Sequence, residues 1–325
     1  MQKIGFTTTI PIEIIHAANF SGVDLNNIFI TAPEPSKLIE SAEKRGLPTT
    51  LCSWIKGIYA VLQERTDIET VIAVVSGDCS NTLPLVDLLR SEGREVISFA
   101  YPFDRNKELL TFEIERLMKR FAVTQNDVKE STIYLDSIRQ KADLIDLMTW
   151  KDNKVTGFEN HEYLINFSDF EGSPDVFKTK LDSFIDEIQN RKPLTDFIPL
   201  GLVGVPPIFS DFYDFLEEKQ ARIIFNETQR QFTFPSRLSD YIERYLDYTY
   251  PYSLLFRLED IKRQIKQRGI KGIIHYTQSF CHHQMDHILL KENLSIPVLM
   301  LEGDRPLGLD GRTRIRLESF IEMLN

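Results

Sequence analysis

The sequence predicts an α/β protein made of two Rossmann-like parallel-sheet domains joined by a helical insert. Two observations carry this. Short apolar runs alternate with amphipathic segments in the first third of the 325 residues and again after Asp196, the signature of parallel α/β units. Between them the strand signal fades, and charged residues with long side chains recur at helical spacing. The corresponding boundaries are 1–104, 105–192 and 193–325.

In the first domain the strand-like runs are Asn27 to Ala32, Thr70 to Val75 and Glu95 to Ala100, after a strand that opens the chain. Helical patterns lie at Ser36 to Arg45, Ile55 to Arg65 and Leu83 to Glu92, and Gly46, Asp67 and Gly93 supply their stop signals. In the insert, Leu109, Phe112, Ile114, Leu117 and Phe121 form one apolar stripe. In the last domain an apolar strand at Asp196 to Val205 stops at Pro206-Pro207. A helix at Ser210 to Lys219 and a strand at Ala221 to Asn226 follow. The Pro- and Tyr-rich stretch Phe234 to Tyr252 reads as irregular, and the helix LEDIKRQIKQRG follows it. The strands GIIHYTQ and PVLMLEGD and a helix from Arg312 to Leu324 complete the pattern. Two such halves place strand ends around one cleft, the usual ligand position in open α/β sheets.

Composition narrows the function. A net charge of -10 offers no basic field for a nucleic-acid backbone. The opening MQKIGFTTTIPIEIIHAA lacks a secretory pattern, and no run of 18 apolar residues occurs. A cytoplasmic protein with neither a nucleic-acid nor a membrane partner is expected. Neither G-x-x-x-x-G-K-[ST] nor G-x-G-x-x-G is present, so nucleotide hydrolysis by the chain itself is not expected.

The thiol inventory is Cys52, Cys79 and Cys281. Intracellular cysteines are commonly small buried hydrophobes, and no C-x-x-C supports a metal here. Their separations of 27 and 202 positions exclude a compact zinc finger. Their settings favour a ligand role: in GLPTTLCSWIKGIY, VIAVVSGDCSNTLPLVDLL and GIIHYTQSFCHHQMDHILL each thiol stands where a strand or loop hands over to a helix. A helix N-terminus favours the thiolate that a metal requires. His282, His283 and His287 beside Cys281 invite a zinc reading, but adjacent residues point to different sides of a helix.

Four stretches resemble the 2-hydroxyacyl-CoA dehydratase and benzoyl-CoA reductase iron-sulfur proteins, in particular the group that includes the 2-hydroxyglutaryl-CoA dehydratase D-component. They are GFTTTIPIEIIHAANF, LCSWIKG, SGDCS and the tail IPVLMLEGDRPLGLDGRTRIRLESFIEML. The resemblance implies a 4Fe-4S cluster in the cleft, held by Cys52, Cys79 and Cys281, with one iron lacking a cysteine ligand. Three cysteines are too few for a double cubane. In the family's best-known members an ATP-hydrolysing activator delivers one electron through the cluster to a CoA thioester, forming a ketyl radical that expels the hydroxyl group. The expected partners are such an activator iron-sulfur protein, a small acyl or acyl-CoA substrate, and a second subunit, identical or paralogous.

Further site residues are read around that set. Glu13 is a candidate to orient substrate, Lys56 to face an anionic cluster, and Ser76, Ser80 and Asn81 to donate hydrogen bonds to its sulfurs. Ser80 stands where many family members carry Asp. His282 is a candidate for acid–base work, and Asn226 and Glu227 end a strand near the cleft. A non-catalytic electron relay or sulfur-transfer protein is the competing reading. A ligand-binding protein with inert thiols is the third.

Overall fold

A computed structural model describes all residues 1–325. It contains two four-stranded, all-parallel sheets wrapped by helices, the α/β class expected. The first sheet comprises β1 (Lys3–Phe6), β2 (Ser21–Asp24), β3 (Thr70–Ser76) and β4 (Glu95–Ala100) in the order β2-β1-β3-β4. The second comprises β5 (Ile198–Gly204), β6 (Ala221–Asn226), β7 (Gly272–Gln278) and β8 (Val298–Gly303) in the order β6-β5-β7-β8. The two sheets thus share one winding. In each, the order reverses between the first and third strands, and such a reversal opens a crevice beyond the carboxyl ends of those strands.

Residues 1–140, 166–180 and 232–253 form one compact unit; 141–165, 181–231 and 254–325 form the other. The expected helical insert is therefore divided between the units rather than standing alone. The Tyr-rich stretch, expected in the C-terminal half, belongs to the first unit. Its hydroxyls account for this: Tyr248 shares a 2.5 Å hydrogen bond with Thr9, Tyr245 donates to Glu13 at 2.6 Å, and Tyr250 donates to Asp78 at 2.8 Å. The stretch also contains the helix Tyr241–Asp247, capped by the Asp240 side chain accepting from Glu243 N–H.

One strand expectation is overturned. Asn27 to Ala32 does not form a strand; the helix Leu25–Ile30 occupies most of it. The Asp24 carboxylate accepts the Asn26 N–H and so starts a helix through a β-branched run that reads as a strand. The second strand is the short SGVD segment before it, paired with β1 from Lys3↔Ser21 to Phe6↔Asp24. The other expected strands and helices fall within a few residues of their places, while the helices Ile12–Ala17, Gly157–Ile165 and Glu227–Phe232 have no counterpart in the expected pattern.

Each sheet carries its own core. In the first unit Ile4, Phe6, Ile72, Ala73 and Phe99 are buried on the strands, with Ile14, Ile15 and Phe29 packed from helices. The helix Ser53–Glu64 seats closely there, because a Cβ at Gly57 would lie 2.2 Å from the Phe29 ring. In the second unit Val203, Ile224, Phe225 and Ile273 pack with Leu258 and Ile261 from the helix Leu254–Arg268.

Candidate metal centre

The three thiols occupy one kind of local setting. Each is partly buried, and none is in a disulfide. Cys52 is the N-cap of the helix Ser53–Glu64, and its carbonyl accepts the Lys56 N–H at 3.1 Å. The Cys79 carbonyl accepts the Thr82 N–H at 3.1 Å where the helix Thr82–Ser91 begins. Cys281 caps the 3-10 turn His282–Met285, and its carbonyl accepts the Gln284 N–H at 3.2 Å. Every thiol therefore stands at or just before the start of a helical segment.

Cys79 and Cys281 correspond more closely still. β3 ends at Ser76 and β7 at Gln278, and each cysteine is the third residue beyond the third strand of its own sheet. The loops reverse through a left-handed residue in both cases, Gly77 at φ +103° and Phe280 at φ +63°. At Gly77 glycine is required twice over, by that φ and because a Cβ would meet the Tyr101 Cβ at 2.7 Å and the Pro251 carbonyl at 2.9 Å.

The three thiols are soft sulfur donors of the kind iron-sulfur groups use, outside any disulfide and partly accessible, with no other cysteine in the chain. Cys52 and Cys79 belong to the first unit and Cys281 to the second. No cluster of three His, Cys, Asp or Glu side chains forms a metal-binding group in the structure.

The other predicted residues take varied positions. Glu13 is not at a surface: it is 0 % exposed. Its Oε1 lies 2.8 Å from Arg139 Nη1 as an ion pair without hydrogen-bond geometry, and Oε2 accepts from Tyr245 at 2.6 Å and Tyr241 at 3.1 Å. Burial raises its pKa, but Arg139 and then Arg244 pull it below the ordinary carboxylate value. Asp136 completes the cluster by accepting from both Arg244 terminal nitrogens, at 2.7 and 2.5 Å. Arg139 stacks on Phe234 and Phe170, with its Cζ 4.8 and 5.4 Å from the ring centroids. Glu13 is thus a core charge that ties the opening motif to the Tyr-rich stretch.

Lys56 is also buried. Its Nζ pairs with Glu43 at 2.7 Å and donates to the Thr49 carbonyl at 3.0 Å. It braces the loop leading into Cys52, a positioning role. Ser76 Oγ donates to the Tyr101 carbonyl at 2.9 Å. Ser80 is exposed and Asn81 half-buried next to Cys79, with no cap bond from the Asn81 side chain. His282 is exposed, its ring centroid 4.2 Å from that of His283, whose Nδ1 contacts Asp286 at 2.8 Å. Asn226 is buried against Asn160 at 2.7 Å and Tyr213 at 2.8 Å. Glu227 forms a buried two-pronged pair with Arg257 at 2.7 and 2.6 Å. Beside them His275 is held neutral, its pKa pushed down to about 3 by burial and by Arg257.

Sequence reasoning missed the grip on the Cys79 loop. Tyr250 donates to Asp78, accepts a long 3.4 Å bond from Thr8, and is 172 positions from Asp78. The threonine run after β1 and the YTYPY stretch were the available signals, but nothing local pairs them.

With the fold and thiol settings in place, the chain belongs to the 2-hydroxyglutaryl-CoA dehydratase D-component family, whose pattern it matches over residues 7–324. No curated protein matches the chain. No helix is long and apolar enough to cross a membrane.

Proposed function

We propose that this chain is the iron-sulfur component of an acyl-CoA dehydratase or a related low-potential reductase, with Cys52, Cys79 and Cys281 holding a 4Fe-4S cluster. The observation that carries the reading is the equivalence of Cys79 and Cys281, each three residues past the third strand of two sheets with the same winding, in a chain of this family. When bound, such a cluster supplies an iron without a protein thiolate, able to polarise a substrate oxygen or pass on an electron.

The chain's own groups hold and shape that site. Lys56 fixes the approach to Cys52 through the Thr49 carbonyl, and Gly77, Tyr101 and Tyr250 fix the approach to Cys79. Ser80 and Asn81 are the polar side chains nearest Cys79 in sequence that can donate to cluster sulfurs. His282 is the exposed polar neighbour of Cys281 and is assigned to the substrate's hydroxyl group. An ATP-hydrolysing activator would supply the electron, and a second subunit, identical or paralogous, completes the assembly.

Anaerobically purified protein, mixed with an activator of this family, ATP and a panel of 2-hydroxyacyl-CoA thioesters, is expected to release the unsaturated thioesters. A reducible cluster with no turnover on any panel member assigns the chain to electron relay instead. A colourless protein holding one zinc contradicts the reading outright.

A further inference from the structure

A cavity of about 520 Å³ lies within the first unit, inside the range of about 300–1,000 Å³ usual for small-molecule sites. Two of its walls are single faces of the helices Lys107–Arg120 and Gln125–Trp150. The first contributes Thr111, Ile114 and Met118, and the second Gln125, Val128, Thr132 and Asp136, each set spaced three or four apart. The second wall runs for roughly 16 Å at the rise of an α-helix. The third side is the segment 237–244, which brings Leu238, Tyr241 and Ile242. Ile133 and Leu238 carry the apolar lining out to solvent, being 63 % and 45 % exposed.

The lining is balanced in charge. Arg244, Arg237 and Lys129 supply three cations, and Asp136, Asp240 and Glu115 supply three carboxylates. Asp136 accepts from both terminal nitrogens of Arg244 and pairs with Arg139 at 3.1 Å. Asp240 caps the helix Tyr241–Asp247, Arg237 donates to the Arg139 carbonyl at 2.9 Å, and Lys129 and Glu115 are exposed. One layer deeper Glu13 answers Arg139, so the balance holds there too. A charged ligand would meet no surplus of the opposite sign, and burying a charge without one is far costlier than burying a neutral group.

One donor is left over. Arg244 lines the cavity and is 1 % exposed, yet its Nε has no hydrogen-bond partner in the protein. A buried N–H in that state is destabilising until an acceptor reaches it. We infer that the cavity binds a neutral, elongated lipophilic molecule with a carbonyl group at one end. The carbonyl accepts from Arg244 Nε, and the hydrocarbon lies between the two helix faces. Medium-chain amides, esters and ketones are of this class. The site is separate from the function proposed above, because none of its lining residues is a cysteine or adjoins one.

Titration calorimetry of the purified protein with octanamide, octanoate and octylammonium, which share a hydrocarbon chain and differ in charge, tests the inference. Octanamide is expected to bind at least about tenfold more tightly than either ion. In protein carrying isotope-labelled arginine, octanamide is expected to shift the Arg244 Nε–H resonance. Ile133→Asp and Leu238→Asp put a carboxylate into the lining at exposed positions, and each is expected to weaken octanamide about fivefold or more. Ile133→Leu keeps the wall apolar and is expected to leave the affinity within about twofold. Either ion binding as tightly as octanamide overturns the inference, as does a failure of all three to bind. An unmoved Arg244 resonance, or Asp variants that bind octanamide as the wild type does, overturns it as well.

Discussion

Glu13→Ala is expected to cost about 3–5 kcal/mol of unfolding free energy, the range for breaking a buried ion pair by removing one partner. The substitution leaves Arg139 with 0 % exposure and only Asp136, shared with Arg244, as a carboxylate partner. It also strips Tyr245 and Tyr241 of their acceptor. The cost is electrostatic and not a cavity effect, so Glu13→Gln, which keeps the volume, should also be strongly destabilised. Tyr245→Phe removes one hydrogen bond to a charged group and should lose about 1.5–3 kcal/mol. The sign of the pH dependence follows from the lowered pKa. The contribution of Glu13 is present above the unfolded carboxylate value and is lost as pH falls through the lower folded one. Urea titrations at neutral pH check the ranking; a Glu13→Ala loss below about 1 kcal/mol contradicts the core-charge role.

The second large effect has the opposite pH sense. Asp169 lies on a strap, residues 166–172, that docks on β2: its Oδ2 accepts Asp24 N–H at 2.8 Å and its Oδ1 accepts Glu171 N–H at 2.9 Å. Ser21 Oγ secures the same strap through the Gly172 carbonyl at 2.7 Å. Burial, reinforced by Asp24, pushes the Asp169 pKa up to about 8, against the backbone N–H groups that favour its charge. Burial raises Asp24 too. The charged groups facing this pair are Glu171 and Asp78, and Glu171 itself is held by Lys180 at 2.6 Å. A carboxyl that stays protonated in the folded chain and ionises in the unfolded one stabilises fully at low pH. That stabilisation fades as pH rises from about 4 to about 8. At about 1.4 kcal/mol per unit, the span amounts to several kcal/mol. His275 and His161, both held neutral by burial, titrate in the opposite sense in the lower part of that window, so the readout is the difference between two proteins: toward pH 8 the wild type should lose unfolding free energy relative to Asp169→Ala. A difference that does not change with pH contradicts the assignment.

Much of the fold was legible because its signals are local. The runs at Thr70 to Val75, Ala221 to Asn226 and GIIHYTQ are apolar, β-branched and bounded by turns, and all three are strands. Asn27 to Ala32 has the same composition, and a single carboxylate at Asp24 reverses its outcome. The division into units was not legible at either boundary, because the Tyr-rich stretch is placed by partners more than 150 positions away, Thr9, Glu13 and Asp78. The same applies at the site. The helix-entry setting of the three cysteines could be read from flanking patterns alone. The burial of Glu13 and Lys56 could not, since a carboxylate at a helix start and a lysine one turn after a cysteine look the same whether solvated or paired. Strain at Phe280 likewise has no signature in sequence, because the residue type that would announce it is glycine, as at Gly77.

Three thiolates holding one 4Fe-4S cluster, as proposed, would leave one iron without a cysteine. Mössbauer spectra of protein reconstituted anaerobically with 57Fe test it directly. The expected result is about four irons per chain, three of one kind and one distinct, the distinct one alone shifting when a thioester is added, and loss of the set in Cys52→Ser, Cys79→Ser and Cys281→Ser. Four equivalent irons, or iron retained unchanged in all three variants, would contradict it.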